Sequence, residues 1–165
     1  KLLTFYFVGY VILQIPLLHK FVLFNVAFSF FYLGFLVFFP LGQNPILRLI
    51  AGFLTGLYID LFSNTPGLHA SVCTFIMLFR DTWLGAILEH QKGVLDINIY
   101  NLKMRGVWLY VLPLIFIHHL MIFWINYGSW MGLFMTFDQI SASTIFSLLS
   151  ILLINLVISK KPIRI

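Results

Sequence analysis

RLIAGFLTGLYIDLFSNTPGLHA, residues 48–70, decides what kind of protein this is. Arg48, Gly52, Gly56 and Asp60 recur every four residues, so on a helix they follow one side with about 40° of drift per step. Gly52 and Gly56 make a GxxxG ridge without side chains. Helices in lipid gain nothing hydrophobic by meeting, so a ridge that lets two backbones approach closely is one of the main routes to tight packing. Packing inside a bundle and reception of a partner helix are both open uses of it; whether the chain also pairs as a homodimer is a separate question that the sequence leaves open. Asp60 closes the same side. A carboxylate at the bilayer centre costs about 2.5 to 3.5 kcal/mol, while each Leu, Ile or Phe returns about 0.3 to 0.6, so around ten such residues carry one Asp across. Asp60 lies near the end of its run, where the cost is smaller, but a helix C-terminus repels a negative charge and the carboxylate needs a partner. The candidates are the loop amides of Ser63 to Gly67, His69, or a group from another chain. Arg48 is twelve residues away, about 18 Å along the helix, and cannot reach.

The composition agrees with a membrane setting. Of 165 residues, 61% are apolar and only 9% are charged. A soluble domain keeps about a quarter of its residues charged, and the mean hydropathy is +1.02. The net charge of +5 makes no basic stripe, so nucleic acid is disfavoured as a partner and membrane topology is the better use of the lysines and arginines. Cys73 is the single cysteine and has no second thiol for a disulfide, redox pair or metal motif.

Six runs are long enough to cross a bilayer, at about residues 2–18, 22–40, 45–62, 66–86, 107–127 and 140–159. The reading is an all-α integral membrane protein, a single polytopic domain of six transmembrane helices. The first run has a signal peptide as its rival, but no small-residue cleavage site follows it. Pro40-Leu41-Gly42 stops the second run. Asn44-Pro45 reads as an N-cap with proline at the first helical position, and Thr65-Pro66 repeats the cue for the fourth run. That run extends toward Leu88 if Arg80 and Asp81 lie near headgroups or face protein. Residues 89–105 form the one long polar loop, and residues 129–138 are too short to cross and lie along a membrane surface. Trp83, Trp108, Trp124 and Trp130 read as interfacial anchors.

With the N-terminus in the cytoplasm, the inner side collects Lys1, Arg48, Lys92, Lys103, Arg105, Lys160, Lys161 and Arg164, against Lys20 alone outside. The positive-inside rule therefore puts both termini in the cytoplasm. No nucleophile with a fitting base, no glycine-rich phosphate loop and no paired acids are visible, so catalytic, cofactor and metal sites are expected to be absent. His118 and His119 point about 100° apart on a helix and cannot both face one metal. One is expected in the bundle with a polar partner and the other nearer lipid or the interface. Ser143, Ser147 and Ser150 make a small-residue stripe whose expected use is packing.

The stretch GFLTGLYIDLFSNTPGLHA resembles the signature of the rod shape-determining MreD family, with matching positions Gly52, Gly56, Asp60, Pro66, Gly67 and His69. The Leu13-Gln14 pair, the chain length, the span count and the short basic tail fit the same family. The resemblance implies a bacterial inner-membrane, non-enzymatic scaffold of the cell-elongation machinery. It would act beside the single-span MreC, near MreB filaments and the RodA transglycosylase with its class B penicillin-binding partner, and help direct lateral peptidoglycan synthesis. It also implies a fold similar to the substrate-binding components of energy-coupling-factor transporters, which supplies the alternative of a vitamin-binding component. On this reading Gly52 and Gly56 are the close-approach surface, Asp60 with Gly67 forms the polar lock of the third and fourth spans, and His69 belongs to the same helix-packing or partner interface.

Overall fold

Proline 45 follows an asparagine whose side chain accepts a hydrogen bond from Ile46 N at 2.9 Å, and from that cap the chain runs as a helix for nineteen residues. The expected Asn-Pro start is thus met by its own side chain. The computed structural model describes residues 10–11, 22–23, 27–28, 30–40, 43–89 and 107–158. In chain order these form β1 (Val22–Leu23), β2 (Ala27–Phe28), α1 (Tyr32–Val37), α2 (Pro45–Ser63) and α3 (Leu68–Glu89). A π-helical turn (Val107–Val111) then leads into α4 (Leu112–Tyr127), followed by α5 (Trp130–Met135) and α6 (Phe137–Ile158). Most of the first expected span, the greater part of the polar loop and the basic tail fall outside the described residues.

Among the described residues four helices are long and apolar enough to cross a membrane: Pro45–Ser63, Leu68–Ile87, Trp108–Tyr127 and Phe137–Ile154. The protein is therefore a mostly helical, multi-pass membrane protein. Its outer surface is what lipid requires, since Ile46, Leu47, Ile50, Phe53, Leu54 and Leu61 of α2 all stand exposed. Trp108, Trp124 and Trp130 are exposed as well, and the rings of Trp124 and Trp130 lie 5.0 Å apart. Trp83 is tied down instead, donating to Leu109 O at 3.0 Å.

The run expected to span as one helix from 22 to 40 does not do so. β1 and β2 pair antiparallel, Val22 opposite Phe28, and only Tyr32–Val37 is helical, a length of about 9 Å. The reason lies in the residues. A stretch apolar on every side has no period, so hydropathy cannot separate a strand from a buried helix, and its valines and phenylalanines are strand formers. Extended backbone at membrane depth must find its hydrogen bonds inside the protein, and α6 provides them. Phe28 N donates to Ser143 Oγ at 2.9 Å and Phe30 N to Ser147 Oγ at 3.1 Å, one helical turn further along. The serine stripe thus packs against a chain rather than a helix. At the other end of this segment Tyr110, in the π-helical turn before α4, donates to Val37 O at 3.0 Å, so β2 lies on α6 while the end of α1 reaches that turn.

Ser147→Ala is expected to leave the part-buried Phe30 amide without its acceptor and to take the hydroxyl from His119 Nε2, 3.3 Å away, and so to lower stability by about 1–3 kcal/mol. Ser150→Ala serves as the control, because that hydroxyl only bonds back to Phe146 O within α6 and should cost much less. Thermal unfolding of both variants in mild detergent measures the difference, and equal losses would remove the serine from this role.

Candidate functional site

Four residues, Asn64 to Gly67, separate α2 from α3. Asn64 ends α2 in the left-handed region (φ 55°, ψ 42°), and its N–H returns to Asp60 O. Thr65 N reaches the same carbonyl at 3.4 Å. Gly67, at φ +80°, precedes α3 and accepts the first intrahelical bond, from Ser71 N at 3.0 Å. It stands where an N-cap residue stands but has no side chain to cap with.

Asp60 supplies the missing cap from the preceding helix. Its Oδ1 accepts from His69 N and its Oδ2 from Ala70 N, both at 2.9 Å. These are the second and third amides of α3, the pair an N-cap side chain would satisfy. Oδ1 also accepts from Thr65 Oγ1 at 2.8 Å and from His69 Nδ1 at 2.9 Å. Since Nδ1 faces a carboxylate oxygen and also lies 3.0 Å from Thr65 Oγ1, the ring carries its proton there while the threonine gives its own to Asp60. Asp60 and His69 are each only 4% exposed. The carboxylate that the end of α2 repels is held by the start of α3, whose dipole has the opposite sign at that point.

The glycines explain how two helix ends come close enough. A Cβ on Gly56 would collide with His69 O and with the backbone of Ala70. One on Gly52 would lie 2.7 Å from Met77 Cγ and 3.0 Å from Cys73 O. The ridge is therefore filled by α3 of the same chain, and the surface that the sequence offers to a partner helix is already covered. The buried Cys73 lies in this seam. Further along, where α2 begins and α3 approaches its end, Arg48 Nη1 pairs with Asp81.

Among the expected site residues, the structure brings Gly56, Asp60 and His69 into one contact set, with Gly67 shaping the turn and Gly52 one helical turn away. Thr65 is not the helix cap that the Thr-Pro cue suggests. α3 begins at Leu68, and Thr65 serves Asp60 instead. The signal that could have revealed this is the small residue at position 67, which leaves a helix start in need of an acceptor.

A second polar group occupies the core. Both His118 and His119 are fully buried, so the expectation that one lies nearer lipid or the interface is corrected. α4 packs between α3 and α6 and beside residues 30–37, so two directions 100° apart both point inward. His118 Nε2 lies 2.9 Å from Tyr32 Oη, and His119 Nδ1 donates to Ile115 O at 2.8 Å. The Phe30 ring sits 5.1 to 5.9 Å from the rings of His69, His118 and His119, and so fills the space among them. Among the described residues no group of three His, Cys, Asp or Glu side chains is placed to hold a metal ion.

No protein-family model, curated protein or solved structure matches the chain.

Proposed function

We propose that this chain is a non-enzymatic scaffold of the bacterial cell-elongation machinery, resembling MreD, which binds a single-span MreC-like protein and helps direct lateral wall synthesis. One observation supports the reading: the residues on which the resemblance rests depend on one another physically. Gly56 admits the α3 backbone, Gly67 leaves its first amides uncapped, and Asp60 caps them beside His69. Residues so interlocked belong to one motif rather than to a chance string. In this reading residues 2–18 form a further span, residues 22–40 cross back as paired extended chain and the short α1 rather than as a helical span, and the bundle is similar to the energy-coupling-factor components. Both termini lie in the cytoplasm, and MreB, RodA and its class B penicillin-binding partner are reached indirectly. Because α3 covers the glycine ridge, the partner helix meets the exposed apolar side of α2 instead.

The test is recovery of bound proteins after gentle detergent extraction from the native membrane. An MreC-like single-span protein is expected in stoichiometric yield, and its absence from wild-type material would overturn the proposal. A second reading, a small-molecule binding component of a transporter, is favoured by the buried His118 Nδ1, which has no hydrogen-bond partner among the described residues. Such convergent polar groups in an apolar core suit a ligand. Thermal shift with a vitamin panel separates the two, since a scaffold gives no ligand-dependent rise.

A further inference from the structure

Arg80 is fully buried in a protein that lies mostly in lipid, and it contacts three oxygens and an aromatic face among the described residues. Its Nη1 donates to Leu36 O and its Nη2 to Phe39 O, both at 2.7 Å, while Nε donates to Asp81 Oδ1 at 3.1 Å. The Phe39 ring centroid lies 5.9 Å from the guanidinium carbon. Tyr110 donates to the intervening carbonyl, Val37 O, at 3.0 Å. These carbonyls belong to the last turn of α1 and the residues after it, where a helix has acceptors without partners.

A six-residue helix leaves most of its carbonyls open, and in lipid no water is present to satisfy them. A hard cation held by backbone and carboxylate oxygens is one general answer to such an arrangement, and broken membrane helices use their carbonyl ends that way. We propose that the end of α1 is a cation site. It is built from Leu36 O, Phe39 O and Asp81 Oδ1, suits a planar guanidinium better than an alkali ion, and is filled by the chain's own Arg80. Asp81 is shared with Arg48, so the same charge links residues 36–39 to α2. The planar fork of arginine reaches two carbonyls at once, which a point charge on lysine does less well.

The experiment uses the full chain in mild detergent, with melting followed in potassium chloride, sodium chloride and guanidinium chloride at matched, sub-denaturing ionic strength. Arg80→Ala should melt well below wild type and regain more than half of that loss in guanidinium relative to potassium, while wild type gains nothing. Arg80→Lys should fall between wild type and Arg80→Ala. Arg80→Met, similar in length but neutral, should fall with Arg80→Ala. If guanidinium does no more for Arg80→Ala than potassium, or if Arg80→Met equals Arg80→Lys, the site is a packing site and the proposal fails. Should Arg80→Ala be unrecoverable, the yields of the other two decide. Lysine recovered with methionine lost supports the cation site, and any other pairing overturns it.

Discussion

Asp60→Leu is expected to give the largest loss of stability of any single change in the α2–α3 hairpin, about 3–5 kcal/mol, the range for removing one partner of a buried charged contact. The substitution keeps the branched heavy-atom skeleton, though with bulkier methyl groups, and removes every acceptor. The amides of His69 and Ala70, the Thr65 hydroxyl and the His69 Nδ1 proton all lose the oxygen they now share. Each orphaned donor costs about 1–3 kcal/mol, but the four relax together and do not add. Asp60→Asn retains one acceptor oxygen, turns an NH2 group toward the other donors, and should lose about half as much. Thermal unfolding in detergent orders the three proteins. Equal losses for asparagine and leucine would mean that the negative charge, and not the hydrogen bonding, is what α3 requires.

Gly56→Ala should rank second, lowering stability by about 2–3 kcal/mol, with Gly56→Leu worse, because overpacking a filled contact forces the backbone apart. The obstruction at Gly56 is main chain, at His69 and Ala70, which cannot step aside as a side chain does. Gly52→Ala meets the flexible Met77 side chain first and should cost less. The two glycines therefore provide an internal comparison. A Gly56 methyl also moves the α3 amides away from Asp60, so Gly56→Ala combined with Asp60→Asn should lose less than the sum of the singles. A strictly additive double variant would separate the ridge from the cap. Because α3 fills the ridge, loss of a partner from Gly56→Leu would report a damaged hairpin before it reported a lost docking face.

Where a segment's constraints are local, the sequence was sufficient to read it. The four-residue spacing from Arg48 to Asp60, the Asn44-Pro45 start and the need of Asp60 for a partner all follow from helix geometry within one segment, and His69 stood among the candidates. The amide of Ala70 did not, because its demand arises from Gly67 having no side chain, a fact about the next helix. Residues 22–40 could not be resolved for a different reason. Their uniform hydrophobicity fits a helix or a buried strand equally, and the deciding contacts come from Ser143 and Ser147 more than a hundred residues away. Arg80 was legible as an arginine facing protein or headgroups, but its carbonyl partners exist only because α1 stops after six residues. His118 and His119 were placed by angle alone, which says how far apart they point and nothing about how much of α4 is covered.

Cys73, enclosed where α2 and α3 touch, gives the wild-type chain an intrinsic gauge. A small maleimide can reach that sulfur only while the hairpin gapes, so the rate of alkylation counts how often the seam breathes. No label has to be engineered, and no other thiol in the sequence competes for the reagent.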